Sequence, residues 1–212
     1  MKPDYWLAHD HYAILLSAMG RHEEAVQEVR RGSQLEPLSL VVSHHAAWVY
    51  IRARLFDQAV DQCREALEFD PNFPMGHYWL GLATGLKSLY DEAIPALETA
   101  HRAVGATFAT LELARVYAAS GRTAEAQRIL AEMHQTFNES YAEPYGFATV
   151  YAALGQTDQA FQWLERACQD RTGFFALWVN GDPRLDSVRA DPRFGELLRR
   201  VLYTAFAAGG NQ

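Results

Sequence analysis

A small residue recurs along this chain at an almost constant interval. Five successive alanines are separated by 34, 34, 33 and 34 residues, and the position five before each alanine repeats with them. A period of this length is typical of arrays built from one helical hairpin per repeat. The alanines are Ala25, Ala59, Ala93, Ala126 and Ala160, and the positions five before them are Gly20, Arg54, Ser88, Gly121 and Gly155.

Each repeat contains two amphipathic stretches joined by a short turn. In the third repeat, Gly81 lies twelve residues before Ala93, and the equivalent residue is small in every repeat, which predicts a close approach of the two helices. The small or glycine turn residue suits the left-handed backbone that ends a helix, and we expect an Asp or Thr to cap the second helix. A single hairpin cannot bury its apolar face, whereas stacked hairpins can, so the pattern predicts an all-α solenoid. The predicted units are 6–39, 40–73, 74–106, 107–140 and 141–173.

The third repeat, "HYWLGLATGLKSLYDEAIPALETA", resembles the tetratricopeptide repeat (TPR). It departs from that motif at Thr84, where tyrosine is usual, and at Pro95, which predicts a kink within the second helix. The resemblance covers residues 3 to 173 and implies a right-handed superhelical solenoid of about five hairpins. We expect capping helices over 174–206 and a frayed tail at 207–212.

Composition narrows the possible functions. The 212 residues carry a formal net charge of -7, which argues against a nucleic-acid partner. No apolar run is long enough to span a bilayer, so the sequence predicts no membrane segment and a cytoplasmic protein. Cys63 and Cys168 follow no paired spacing and are expected to be free thiols.

The sequence contains no recognisable catalytic, phosphate-binding or metal-binding motif. His9 and His11 are two residues apart and face different sides of a helix, so they do not make a metal site. The sequence therefore predicts neither an enzyme nor a cofactor.

The resemblance to TPR proteins implies a concave groove lined by the first helix of each hairpin. Aromatic residues, His and Arg are enriched in protein-binding surfaces, which favours a protein or peptide partner. Trp48 and Trp79 have an alternative role, the filling of gaps between hairpins. The positions at which some TPR proteins hold a carboxylate with Lys and Asn carry other residues here, which argues against that partner class. The predicted groove set is Asp10, His11, Ile14, His44, His45, Trp48, Arg52, Tyr78, Trp79, Leu82, Glu112, Arg115 and Tyr145, with Leu86, Leu111 and Thr149 as further groove positions.

The C-terminal segment "NGDPRLDSVRADPRFGELLRR" contains Asp-Pro-Arg twice. Asp is a favoured N-cap and proline suits the first helical position, so Asp182-Pro183 and Asp191-Pro192 predict two helix starts, with the arginines on a solvated face. This tail is similar to the end of the C-terminal TPR region in bacterial winged-helix regulators, serine/threonine kinases and adenylate cyclases. The resemblance implies a partner-binding or regulatory module of a larger bacterial protein; the alternatives are a homodimerisation module and a small-ligand sensor.

Overall fold

The computed structural model describes residues 5–104, 107–139, 144–170 and 175–207. These residues form helices joined by short turns, and they contain no strand. The prediction of an all-α chain of consecutive helices is confirmed. Among the described helices none is long and apolar enough to cross a membrane.

The helices pack as two compact units, Met1–Ala109 and Thr110–Gln212. In the first unit each helix packs on its successor, and α1, α3 and α5 also contact one another in that order. The first-helix side chains of three hairpins are thereby brought next to each other. The helices are α1 (Trp6–Ala18), α2 (His22–Leu35), α3 (Leu40–Arg52), α4 (Phe56–Phe69), α5 (Pro74–Leu86) and α6 (Tyr90–Val104), and α6 continues through Pro95.

In the second unit, α9 packs on α10 and on a following 3-10 helix, and α12 packs on α10 and α11. A core that includes Leu164, Leu185, Phe194 and Leu197 joins the C-terminal segment to the hairpin before it. The predicted tail at 207–212 lies, apart from Ala207, outside the described residues. The helices are α7 (Thr107–Ala119), which begins in the first unit, α8 (Thr123–Glu139), α9 (Pro144–Ala153), α10 (Thr157–Gln169), α11 (Phe175–Val179), the 3-10 helix (Pro183–Val188) and α12 (Pro192–Ala207).

The five hairpin turns share one backbone geometry. The residue five before each recurring alanine has a positive φ, between 61° and 81°, whether or not it is glycine. The next residue donates its N–H to a carbonyl in the last turn of the preceding helix, for example Arg21 to Leu16 and Leu89 to Thr84, each at 2.9 Å. This is the hydrogen-bond pattern of a left-handed C-terminal cap. The repeat period in the sequence therefore includes the position at which each first helix ends.

The predicted Asp or Thr caps of the second helices are wrong where the cap is described. The N-cap residues of α2, α4 and α10 are Arg21, Leu55 and Gln156, and none makes a side-chain cap hydrogen bond. Each second helix starts two residues after the left-handed residue, so Thr157 is the first residue of α10 and not its cap. The acids in the first turns, such as Glu23 and Asp158, remain near the positive end of the helix dipole.

Ser88→Gly is expected to stabilise the protein by about 1 kcal/mol. Ser88 has a φ of 61°, and this left-handed conformation is unfavourable for any residue with a Cβ but not for glycine. The measurement is the free energy of unfolding from urea denaturation. The matched change in the opposite direction is Gly121→Ala at the equivalent turn, where φ is 81°, and it should destabilise by a similar amount. Equal stability of both variants with the parent would contradict the strain at these turns.

Candidate functional site

Two neighbouring first helices, α1 and α3, bring two members of the predicted groove set together as a histidine–carboxylate pair. Asp10 of α1 is completely buried, and its Oδ2 lies 2.6 Å from Nδ1 of His45 on α3. The His45 side chain is 23% exposed, so it separates the carboxylate from solvent. The other carboxylate oxygen of Asp10, Oδ1, is buried without a hydrogen-bond partner. The pair therefore keeps one unused acceptor directly behind a partly accessible imidazole.

An aromatic row continues from His45 toward α5. The His44 ring lies 4.7 Å from that of His45 and 5.5 Å from that of Trp79, and Tyr78 meets Trp79 edge-on at 4.9 Å. Burial of His44, together with the charge of His45, lowers the pKa of His44 to about 4. At neutral pH His44 is consequently an uncharged, polar aromatic surface. We call Asp10, His45, His44, Trp79 and Tyr78 the histidine–aromatic row.

Arg52 lies one helical turn beyond Trp48 on α3. Its Nε donates to Ser17 Oγ at 3.2 Å, its Nη2 donates to the Ser17 carbonyl at 3.4 Å, and its guanidinium lies 5.0 Å from the centre of the Trp48 ring. Both side chains are buried. Their contacts connect α3 to α1, so replacing either would change packing as well as any binding surface.

The structure places the predicted groove set mostly inside the protein. His11 is exposed, Ile14, His44 and His45 are half-buried, and the remaining members of the set are buried. Trp48 and Trp79 are buried as expected for side chains that fill gaps. A direct contact with a partner in the first unit is therefore open to His11, Ile14, His44 and His45. The buried members of the set are Asp10, Trp48, Arg52, Tyr78, Trp79, Leu82, Glu112, Arg115 and Tyr145.

In the second unit the predicted groove residues belong to a buried charged network. Glu112 Oε1 lies 2.6 Å from Arg115 Nη2, and Glu112 Oε2 accepts from Arg184 Nη1 at 3.2 Å. Arg184 in turn pairs with Asp182, with Nη2 2.7 Å from Oδ2, and Tyr145 donates its hydroxyl to the same oxygen at 2.6 Å. Two carboxylates and two guanidiniums thus balance each other. We call Glu112, Arg115, Tyr145, Asp182 and Arg184 the buried charge network.

Asp182 is the most perturbed acid in this network. Its complete burial opposes ionisation, but the charge of Arg184 and the hydrogen bonds from Arg184 and Tyr145 outweigh burial and lower the pKa of Asp182 to about 2. The carboxylate therefore stays charged throughout the neutral range. It positions Arg184, whose guanidinium also lies 4.9 Å from the centre of the Trp178 ring.

The expectation that the C-terminal arginines lie on a solvated face is wrong for Arg184, whose side chain is only 7% exposed. Arg193, in the second Asp-Pro-Arg, makes the same local pair with Asp191 but is 46% exposed. Both Asp-Pro pairs begin helices as predicted. The two motifs have identical letters, and burial depends on what packs over them, so no local signal distinguishes them.

In the described ranges no group of three His, Cys, Asp or Glu side chains could hold a metal ion. His9 and His45 each face one carboxylate, Glu28 and Asp10, at 2.6 Å. Cys63 is buried, and burial raises the pKa of its thiol to about 12, which makes it a poor nucleophile or ligand.

Comparison with known proteins identifies the fold and not a closer relationship. No protein-family model matches the sequence, and no curated protein matches it either. A TPR protein from Thermus thermophilus aligns with a TM-score of 0.64 and 17% identity, over 92% of this chain and 100% of that one. A tetratricopeptide repeat protein from Parabacteroides merdae aligns with a TM-score of 0.63 and 16% identity, over 95% and 86% of the two chains.

A third solved structure is YrrB, described as a TPR protein with an unusual peptide-binding site. It aligns with a TM-score of 0.51 and 20% identity, over 83% of this chain and 92% of that one. Identities this low show a shared fold alone. The chain has the helical-repeat fold of TPR proteins, and the predicted fold class is confirmed.

Proposed function

We propose that this chain is a non-enzymatic scaffold that binds a peptide or protein segment along the first helices of its first three hairpins. The observation that carries the proposal is the histidine–aromatic row. It joins α1, α3 and α5 through Asp10, His45, His44 and Trp79, with partly accessible imidazoles at its surface. Its two half-buried imidazoles, His44 and His45, offer π faces and ring nitrogens, which suit recognition of a polypeptide.

The peptide-binding site reported for YrrB supports a polypeptide partner for this fold. Because Trp48 and Arg52 are buried, a partner would contact the accessible residues of the groove set instead. His11, Ile14, His44 and His45 are the side chains through which a partner would make contact, while the buried members hold them in place.

The double variant His11→Ser/Ile14→Ser tests this surface. Short random peptides displayed on phage are selected on the wild-type protein, and binding of the selected peptides is then measured by fluorescence anisotropy. Peptides that contact His11 and Ile14 should lose about tenfold or more in affinity, because central interface residues account for most of the binding free energy.

The matched control is Glu23→Ser/Gln27→Ser, two exposed positions on the second helix of the same hairpin. This control should bind every selected peptide as the wild type does, and both variants should keep the parent's helical circular dichroism. If no selected peptide distinguishes the His11/Ile14 variant from the control, the accessible groove residues of α1 are not a binding surface.

Self-association is a second candidate function, favoured by one observation. Tyr5, Leu15 and Met19 are each about half exposed at α1, and Leu15 and Met19 are one turn apart. Two copies could bury these side chains against each other. Sedimentation over a range of concentrations tests the idea, and a strict monomer at high concentration removes it.

The biological context of the scaffold is a further part of the proposal. The likeness of the C-terminal segment to the ends of TPR regions in bacterial regulators, kinases and cyclases supports a regulatory module of a cytoplasmic signalling or transcription protein. The sequence encoded upstream of Met1 tests this: an effector domain of one of these classes supports it, and further repeats alone contradict it.

A further inference from the structure

A second surface of the first unit, separate from the histidine–aromatic row, has the form of a side-chain receptor. A cleft of about 200 Å³ lies between the α2–α3 connection and the C-terminal half of α4. Its apolar lining includes Pro37, Leu38, Leu40, Ala66 and Phe69. We call this the α4 cleft.

Two large apolar side chains of the α4 cleft are turned toward solvent. Leu38 is 67% exposed and Phe69 is 58% exposed, more than any other large hydrophobic residue of the described chain. A single exposed leucine needs no explanation, since folded proteins have many. Two that line the same cleft form a contiguous apolar surface, and such surfaces mark interaction sites.

The size of the cleft indicates what it can accept. Pockets for drug-sized molecules enclose about 300–1,000 Å³, whereas a water molecule occupies about 30 Å³. A volume of about 200 Å³ is too small for a cofactor or metabolite of ordinary size. It is suited to one apolar side chain presented by a polypeptide.

Among the described residues, the one charged side chain in the lining of the α4 cleft is acidic, and two further glutamates adjoin the lining. Glu65 is part of the lining, and Glu36 and Glu68 directly precede the lining residues Pro37 and Phe69. All three are exposed, and none makes an ion pair with any residue that the structure describes. Arg64, which directly precedes Glu65, pairs with Glu92 at 2.8 Å.

We propose that the α4 cleft is a docking site for a partner protein segment that inserts one apolar side chain and flanks it with Lys or Arg. The apolar lining receives the anchor, and the three unpaired glutamates attract the flanking cations. The net charge of -7 disfavours a second copy of this chain as the occupant. The site would add a specific contact to the proposed scaffold function without using its histidine–aromatic row.

The test uses the intact protein and the same displayed library of short random peptides. Three variants sort the selected peptides: Leu38→Ser/Phe69→Ser removes the apolar wall, Glu36→Gln/Glu65→Gln/Glu68→Gln removes the charge, and His11→Ser/Ile14→Ser reports on the other surface. Leu89→Ser, a half-exposed leucine of the α5–α6 connection, is the matched control for loss of an exposed apolar side chain. Helical circular dichroism shows that each variant is folded.

The expected result is a class of peptides with a hydrophobic residue between Lys or Arg residues. Loss of the apolar wall should weaken their binding about tenfold or more, and the Leu89 control should leave it unchanged. Loss of the glutamates should weaken binding about tenfold at low salt and remove most of its salt dependence.

The proposal is overturned if selection enriches no such class, or if peptides of this class bind the cleft variants as well as the wild type. Acidic or uncharged peptides that require Leu38 and Phe69 would also overturn it, since the charge argument would then fail. Because the His11/Ile14 variant is scored on the same peptides, this failure is distinct from a failure of the proposed contact through the accessible groove residues.

Discussion

Asp182→Ala is expected to lower the free energy of unfolding by about 3–5 kcal/mol, the usual consequence of leaving a buried charge without its partner. The Arg184 side chain, which is 7% exposed, would lose its bidentate carboxylate partner. Glu112 lies 3.2 Å from Arg184 and cannot alone replace that partner. Tyr145 would lose the acceptor of its hydroxyl as well. The measurement is urea denaturation of the intact chain followed by circular dichroism.

The second Asp-Pro-Arg provides an internal control. Arg193 pairs with Asp191 and Asp158 through the same kinds of hydrogen bond, but in contact with water. Arg193→Ala should change the denaturation midpoint far less than Arg184→Ala, because exposed ion pairs contribute little. Similar effects of the two substitutions would show that the buried charge network does not hold the C-terminal segment in place.

The buried charge network also makes the stability of the protein depend on pH. The folded-state pKa of Asp182, about 2, lies below its ordinary value, so its contribution to stability is complete above about pH 5 and is lost as pH falls toward 2. The loss from this one group amounts to about 2 kcal/mol. Asp182→Asn, which cannot titrate, should be less stable at pH 7 and should show a flatter decline between pH 5 and pH 2.

The second large effect concerns the close approach of α5 and α6. Leu97 is fully buried, and Leu97→Ala should cost about 2–5 kcal/mol through lost burial and the cavity left behind. A Cβ added at Gly81 would lie 2.5 Å from Leu97 Cγ, so Gly81→Ala should destabilise the parent by about 1–2 kcal/mol. In the Leu97→Ala background that obstacle is absent, but the Ala93 carbonyl oxygen still lies 3.0 Å from the added Cβ, so Gly81→Ala should cost less there than in the parent.

A double-mutant cycle in urea measures this difference between the two backgrounds. Gly195→Ala is the matched control, because nothing lies within 4 Å of a Cβ at that position of α12. It should stabilise the parent and the Leu97→Ala variant equally. Additive effects of Gly81→Ala and Leu97→Ala would show that the two residues are not in steric contact.

The sequence predicts the helical hairpins well because their spacing follows from local rules. The recurring alanines are completely buried, and the positions five before them all have a left-handed backbone, including the non-glycine Arg54 and Ser88. Both features arise within one hairpin, where neighbours in sequence are neighbours in space. They can therefore be inferred from period and residue size alone.

The chemistry of the candidate sites was less predictable because it depends on distant residues. Glu112 and Arg184 are separated by 72 positions, and Asp10 and His45 by 35. The repeat places first-helix residues side by side, but it does not determine which of them are covered. Arg52 and Arg115 are polar residues at predicted groove positions, yet their partners are internal and both side chains are buried.

The two copies of Asp-Pro-Arg also allow one ion pair to be compared in a buried and an exposed environment of the second unit. The same carboxylate and guanidinium meet in both, with Nη2–Oδ2 distances of 2.7 Å and 2.8 Å. The Coulomb attraction at fixed separation scales inversely with the effective dielectric constant, so burial should strengthen the Asp182–Arg184 attraction. The pairs also differ in their further partners, Glu112 and Tyr145 for one and Asp158 for the other. Double-mutant cycles on both pairs would therefore compare the same motif in the protein interior and at its surface, within one molecule.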